Sequence, residues 1–83
     1  MIVSDGVHIT SGISIQDLHV QMARIGIKRC WFHSGSKYPH YDAPKRLRGD
    51  ELFRMYPEIK KIHSRDLMTI CLRIKEEYVE NTD

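Results

Sequence analysis

Apolar residues recur at helical spacing in three parts of the chain, and the clearest repeat lies near its start. Isoleucine, leucine and methionine residues return every three or four positions between residues 15 and 25, which is typical of one buried helix face. Ser14 stands three residues before Asp17, a spacing at which the two side chains can cap each other's backbone. Gly26 tolerates the left-handed conformation that ends many helices. We therefore predict a first helix over residues 15–25, capped by Ser14 and Asp17.

Two further helices follow from the same kind of pattern. Asp42 and Pro44 suit a helix cap and a first helical turn, and the apolar positions after them predict a second helix ending near Tyr56. Gly49 is a weak point inside this helix. Ser64 is typical of an N-cap and precedes the third predicted helix. The apolar stripe of that helix consists of Leu67, Ile70, Cys71, Ile74 and Tyr78.

Short β-prone segments alternate with these helices at residues 7–10, 28–33 and 59–63, and residues 1–3 favour one more strand. The β-α-β-α-β-α order predicts a small two-layer or three-layer α/β domain with a mostly parallel sheet of three or four strands. Residues 34–41 contain glycine, proline and serine and predict a loop. Two consecutive lysines in residues 59–63 indicate an edge strand, and an exposed edge favours a homodimer.

The length and composition limit the class of protein. A chain of 83 residues fits one domain, 1–83, with a modest core, and it leaves no room for the deep cavity of a large cofactor, so we predict no cofactor. No apolar run approaches the roughly 20 residues that cross a bilayer, and no leader pattern opens the chain. We expect a cytoplasmic protein without membrane contact. Cys30 and Cys71 are then expected to be reduced core residues.

The net charge of +2 conceals an uneven distribution. Residues 24–48 carry seven basic side chains against one acidic side chain, whereas residues 76–83 form an acidic tail. A basic segment of this kind favours a phosphate-bearing small molecule as ligand, with nucleic acid or another protein as weaker alternatives. An ordinary solvated surface explains the same charges equally well.

Ligands of parallel sheets bind beyond the carboxyl ends of the strands, and the predicted topology brings a set of polar residues to that edge. Helix N-termini and guanidinium groups at this edge favour a small anionic ligand. The candidate ligand-binding residues are His8, His33, Tyr41, Lys45, Arg46, Ser64 and Arg65, with Thr10, Ser11, Ser14 and Ser34 close by.

His40 and Asp42 are the candidate catalytic residues. A carboxylate two positions from a histidine can fix the tautomer of the imidazole, which then acts as an acid or a base. The alternatives are that Asp42 only caps the second helix, or that the histidines bind a metal. Because the sequence contains no pair of histidines at the helical i, i+4 spacing and no Cys-x-x-Cys motif, we predict no metal. We expect His19 to be a hydrogen-bonded core histidine.

Several segments follow the order and spacing of a known family. The chain resembles the domain-of-unknown-function family four-zero-three-one, a small bacterial and phage family, over residues 7–72. The resemblance rests on Asp17-Leu18-His19, Ala23-Arg24-Ile25-Gly26, Arg29, Trp31-Phe32 and His40-Tyr41-Asp42-Ala43-Pro44-Lys45-Arg46.

The resemblance implies that His8, His19, His40 and Asp42 match positions of the family pattern. Because the family has no settled activity, it implies no reaction. Its frequency in phages implies a phage origin and a host protein as partner. Gly12 stands where many members carry an aspartate, which weakens the case for an acidic, metal-assisted mechanism.

Three classes of function therefore stay open. The leading hypothesis is a small pocket protein that binds a phosphorylated or nucleotide-like anion. The second is a hydrolase or nuclease-like enzyme in which Asp42 orients His40 and Arg46 stabilises charge. The third is an inhibitor-like protein that docks on a host partner through its basic middle segment.

Overall fold

Five short strands form a single sheet in the computed structural model, which describes residues 1–33 and 37–82, with the side chains of 1–33 and 37–75. The strands are β1 (Ile2–Ser4), β2 (His8–Ser11), β3 (Phe32–His33), β4 (His40–Asp42) and β5 (Lys60–Lys61). Their order across the sheet is β3-β4-β2-β1-β5. The β1–β5 pair is parallel, and the other three pairs are antiparallel.

The prediction of a mostly parallel sheet with three or four strands was therefore wrong, although the small, compact α/β class is confirmed. The error arose at β4, which lies at the end of the segment predicted as a loop. Gly35 and Pro39 favour a loop locally, but pairing of β4 with both β2 and β3 decides the conformation of residues 40–42. An Asp5-Gly6 turn joins β1 and β2 as a hairpin, with Gly6 at a φ of +102°.

The helices agree better with their predicted positions. Their bounds are α1 (Ile15–Arg24), α2 (Asp50–Met55) and α3 (Ser64–Thr82), and single 3₁₀ turns cover Arg29–Trp31 and Lys45–Leu47. The predicted second helix is split at Gly49, the weak point, which adopts a left-handed φ of +79°. The predicted strand 28–33 is mostly the first 3₁₀ turn, so that only its last two residues pair in the sheet.

The start of α1 confirms one half of the predicted capping pair. The backbone N–H of Asp17 donates to Ser14 Oγ at 2.9 Å. The carboxylate of Asp17 instead accepts from Ser11 Oγ at 2.7 Å and from Gln21, and so ties the end of β2 to α1. Burial raises the pKa of Asp17, but these hydrogen bonds lower it, and the net shift is downward. Asp42 was wrongly predicted as a helix cap, since it lies within β4.

The two faces of the sheet carry different side chains because neighbouring strand residues point in opposite directions. Ile9 and Tyr41 are register partners on one face, where they join Leu18 and Met22 of α1 in the main core. The opposite face is covered by α3, whose Leu67, Cys71 and Ile74 are buried. His8, His33, His40 and Asp42 lie on this second face.

The remaining expectations about the fold have mixed outcomes. Cys71 is buried as predicted, whereas Cys30 is exposed, and both are free thiols. The lysine-rich strand lies at an edge of the sheet, as its composition indicated. No helix in the described part of the chain is long and apolar enough to cross a membrane. Ser34 lies outside the described residues, and the side chains of Tyr78 and of the acidic tail lie outside the described side chains.

Candidate functional site

Three imidazoles and one carboxylate meet on the α3 side of the sheet, where β2, β4 and β3 lie side by side. His8 is the register partner of Asp42, and His33 is the register partner of His40. The rings of His8 and His40 meet edge to face, and those of His33 and His40 stack, both with centroids 5.0 Å apart. We call His8, His33, His40 and Asp42 the imidazole–carboxylate cluster.

Asp42 holds the cluster together because each of its oxygen atoms faces a different ring. Its Oδ2 lies 2.7 Å from His33 Nε2, and its Oδ1 lies 3.2 Å from His40 Nε2. The structure thus brings the predicted pair of His40 and Asp42 together and adds His33 to it. Antiparallel pairing of β3 with β4 is the reason, since it places residues 33 and 40 directly opposite each other.

Asp5 orients His8 from outside the cluster. Its Oδ2 lies 3.0 Å from His8 Nδ1 and accepts from Ser64 Oγ at 2.7 Å, while its Oδ1 accepts from the backbone N–H groups of Val7 and His8. Burial raises the pKa of Asp5, but the hydrogen bonds from His8, Ser64 and Val7 outweigh it and hold the pKa well below its usual range. Asp5 is therefore a carboxylate that fixes His8 through its Nδ1–H.

His40 is fixed in a similar way by the backbone. Its Nδ1 is in close hydrogen-bonding contact with the carbonyl oxygen of Tyr38. A carbonyl can only accept, so Nδ1 carries the proton and donates it. In both His8 and His40 the Nδ1 atom is thus committed to an acceptor, and Nε2 is the nitrogen that remains for the cluster or for a ligand.

A small cavity opens beside the cluster, between the sheet and the first turns of α3. Its volume is about 230 Å³. The described residues that line it are Asp5, His8, Tyr38, His40, Ser64, Leu67 and Met68. None of them is a lysine or an arginine. A neighbouring depression shares Asp5 and Ser64 with this cavity and includes Lys61 in its wall.

The structure brings some of the predicted site residues together and not others. His8, His40 and Ser64 line the cavity, and His33 and Asp42 adjoin it. Sequence reasoning did not include Asp5 among the candidate residues. The one available signal was the carboxylate three positions before His8, a spacing that lets a turn aspartate reach forward to backbone N–H groups.

Other predicted site residues lie elsewhere. Tyr41 is buried on the opposite face, where its hydroxyl lies 2.7 Å from His19 Nδ1. Lys45 and Arg46 are exposed on a 3₁₀ turn and do not line the cavity. Arg65 is exposed, and its backbone N–H donates to His63 Nδ1.

His19 belongs to the α1 side of the sheet and is a half-buried, hydrogen-bonded residue rather than a fully buried one. Its ring meets Phe32 edge to face at 4.6 Å as well as contacting the Tyr41 hydroxyl. Burial lowers the pKa of His19, and the nearby positive charge of Arg29 lowers it further. His19 is therefore held neutral, away from the imidazole–carboxylate cluster.

The cluster also has the ligand types of a metal site. His8, His40 and Asp42 each offer one ligand atom, and these three atoms all lie within 4.8 Å of one another. Sequence spacing does not indicate this group, because His8 lies on β2 and the other two residues lie on β4, which does not follow β2 in the chain. Pairing of β2 with β4 brings His8 to His40 and Asp42.

Fold and site together define a small mixed α/β domain with an imidazole–carboxylate site on one face of its sheet. A scan of protein-family models and searches of curated proteins and of solved structures found no match. The resemblance to the domain-of-unknown-function family therefore stays a prediction, as do a phage origin, a host partner, nucleic-acid binding and a homodimer.

Proposed function

We propose that this protein is a small hydrolase that binds a phosphate-bearing ligand in the cavity beside the imidazole–carboxylate cluster. The observation that supports the proposal is the convergence of His33, His40 and His8 around the shared carboxylate of Asp42. An oriented imidazole is the commonest side chain for moving a proton to or from a reacting group. Acid–base chemistry on a ligand held at the cavity is the use that best fits this group.

The His–Asp pair that performs the proton transfer is His33 with Asp42. His33 Nε2 donates to Asp42 Oδ2 at 2.7 Å, so the carboxylate holds the tautomer in which Nδ1 is basic. Half of the His33 side chain is exposed, which leaves it accessible to water. His40 donates its Nδ1–H to the backbone, faces Asp42 with Nε2 and is 14% exposed, so it suits ligand binding better than proton transfer.

The reaction is the hydrolysis of a phosphate ester. The oxygen of a water molecule forms a bond to phosphorus while the bond from phosphorus to the leaving oxygen breaks. His33 takes one proton from the attacking water, and the leaving oxygen receives one proton from the imidazolium or from solvent. A monoester gives inorganic phosphate and an alcohol, and a diester gives a phosphate monoester and an alcohol, so that all atoms are accounted for.

The size and surroundings of the cavity favour a small ligand. A volume of about 230 Å³ lies below the roughly 300–1,000 Å³ of pockets that enclose drug-sized molecules. It accommodates a phosphate group and a short part of its substituent. Ser64, in the first turn of α3, lines the cavity, and the positive end of the helix dipole favours a negative group there. Lys61 lies next to it.

Chromogenic phosphate esters test the proposal directly. We would assay p-nitrophenyl phosphate and bis(p-nitrophenyl) phosphate with the wild-type chain, His33→Ala, Asp42→Asn and the control His19→Gln. The control removes an imidazole from the opposite face of the sheet. We expect kcat/KM to fall about 10²-fold to 10⁴-fold for His33→Ala and Asp42→Asn, and to stay unchanged for the control. Equal rates in all four proteins, or no hydrolysis by the wild type, would contradict a hydrolase.

Binding without turnover is measured separately by isothermal titration with a nucleoside monophosphate and with inorganic phosphate. Heat that is lost in His40→Ala and kept in His19→Gln places the ligand at the cluster. Binding of this kind with no hydrolysis would reduce the function to that of a ligand-binding protein.

A further inference from the structure

We propose that His8, His40 and Asp42 form a binding site for one divalent transition-metal ion of the Zn²⁺ type. The ligand atoms are Nε2 of both histidines and Oδ1 of Asp42. The role of the ion in turnover rests on the proposed hydrolase. Metal binding itself is measured independently of hydrolysis.

The first argument is the position of the three donors. His8 and Asp42 face each other across the β2–β4 pair, and His40 lies two residues before Asp42 on the same face of β4. Their ligand atoms lie within 4.8 Å of one another. The measured separation of His40 Nε2 and Asp42 Oδ1 is 3.2 Å. Two ligands at about 2.0–2.1 Å from a tetrahedral zinc ion are about 3.3–3.4 Å apart, so His40 and Asp42 already have this spacing, whereas the His8 nitrogen, within 4.8 Å of them, has to move closer.

The second argument is the set of contacts behind the ligands. Metal-binding histidines usually donate their other ring N–H to a carboxylate or to a backbone carbonyl, which fixes the tautomer and aims the free nitrogen at the ion. Here His8 Nδ1 is paired with the carboxylate of Asp5, and His40 Nδ1 is paired with the carbonyl of Tyr38. Both arrangements leave Nε2 as the ligand atom. Each of the two histidine ligands thus has a hydrogen-bond acceptor for its non-ligating nitrogen, as in known metal sites.

The third argument concerns Asp42, which divides its two oxygens between two tasks. Oδ2 accepts from His33 at 2.7 Å, so the carboxylate is held in place while Oδ1 faces His40 Nε2. His40 then has an acceptor at each ring nitrogen. A cation between Nε2 and Oδ1 satisfies both of these atoms, and a metal ion also recruits His8.

The choice of metal follows from the ligand types. Two imidazoles and one carboxylate suit Zn²⁺ and its neighbours in the first transition row, whereas Mg²⁺ and Ca²⁺ prefer sites built from oxygen atoms. Three protein ligands leave a fourth position for water, which is typical of catalytic zinc sites rather than structural ones. The cavity lined by His8 and His40 offers the space for that water and a phosphate oxygen. A bound Zn²⁺ lowers the pKa of such a water toward neutrality.

Titration calorimetry on chelator-treated protein tests the site. We expect Zn²⁺ to bind with a stoichiometry of one and at least 10²-fold more tightly than Mg²⁺. His8→Ala and His40→Ala should weaken Zn²⁺ binding at least 10²-fold, while the matched controls His19→Gln and His63→Ala should not. His63 is an exposed histidine near the start of α3. Circular dichroism of each variant checks that it is folded, and visible absorption of the Co²⁺-loaded wild type reports the coordination geometry directly.

Asp5→Asn distinguishes a preorganised metal site from nonspecific binding of Zn²⁺ to histidine side chains. Because Asp5 reaches the ion only through His8, its replacement should weaken Zn²⁺ binding about 10-fold to 100-fold in protein that circular dichroism shows to be folded. A wild-type protein that binds no Zn²⁺, or one whose affinity is unchanged in both His8→Ala and His40→Ala, would overturn the inference.

The outcome distinguishes this inference from the proposed hydrolase. If Zn²⁺ binds at the three residues but no ester is hydrolysed, the metal site stands and the hydrolase fails. If esters are hydrolysed at the same rate in excess chelator, the hydrolase stands and the role of the ion in turnover is wrong, while calorimetry alone decides whether the ion binds.

Discussion

Asp5→Asn is the most informative single change in this molecule because it alters one atom type at the point where the β1–β2 turn, His8 and α3 meet. The side chain of Asp5 is 7% exposed, and its two oxygens accept four hydrogen bonds. Asparagine keeps the oxygen that accepts from the Val7 and His8 backbone N–H groups. It replaces the oxygen that faces His8 Nδ1 and Ser64 Oγ with an amide that can only donate.

The magnitude follows from these four bonds. Two hydrogen bonds to a charged acceptor are lost, each worth about 1.5–3 kcal/mol, and the two that remain become bonds to a neutral acceptor. His8 recovers one contact by moving its proton to Nε2 and accepting at Nδ1. Ser64 is exposed and recovers a bond to water. The net loss of unfolding free energy is therefore about 2 kcal/mol, which in a chain of 83 residues lowers Tm by about 8–16 °C.

Urea unfolding of chelator-treated protein, followed by circular dichroism, measures this loss. Asp50→Asn is the matched control, because the same chemical change falls on a side chain that is 86% exposed and lies 3.6 Å from Lys61 Nζ. The control should stay within about 0.5 kcal/mol of the wild type. If Asp5→Asn unfolds at the same urea concentration as this control, the view of Asp5 as a buried organiser of the turn is refuted.

Three further predictions concern the rest of the fold. Burial holds His19 neutral with a pKa below its ordinary value of 6.5, so its contribution to stability is complete above about pH 6.5 and is lost as the pH falls through the lower, folded-state pKa. The urea midpoints at pH 7.5 and 5.5 should therefore differ less in His19→Gln than in the wild type, and an equal difference would contradict this. Cys30 is exposed whereas burial raises the pKa of the Cys71 thiol, so a thiol reagent should label one cysteine rapidly in the native protein and both in urea; rapid labelling of both under native conditions would contradict the burial of Cys71. Gly6 has a φ of +102°, and an added Cβ would lie 3.3 Å from the Cα of Gly49. Gly6→Ala should therefore lower the free energy of unfolding in urea by about 1–2 kcal/mol. A decrease no larger than that of an exposed substitution would show that the turn relaxes without strain.

Local signals were sufficient for the helices. The repeat that ends at Gly26 predicted α1 to within one residue, and Gly49 was correctly identified as the break before α2. Both features depend on side chains a few residues apart and on the backbone freedom of glycine, so a single sequence contains the information. The same holds for the Ser14 cap of α1.

The sheet was a different case because its pairing joins distant parts of the chain. Residues 40–42 carry no strong strand signal of their own, yet they form β4 because β2 offers one edge and β3 offers a second. That insertion added two antiparallel pairs to the sheet where the alternation of elements had predicted parallel pairing. It also explains why Asp42 faces two imidazoles instead of capping a helix.

The sequence by itself determined the residue types of the site and most of the helices. His8, His33, His40 and Asp42 were all candidates before their positions were known, because imidazole and carboxylate groups carry acid–base and ligand chemistry wherever they lie. Only the tertiary structure decided which of them meet. The period of two along each strand and the registers of β2, β4 and β3 place these four on one face and send Tyr41 to the other. The register of β2 with β4 joins residues more than thirty positions apart, and local sequence does not encode it.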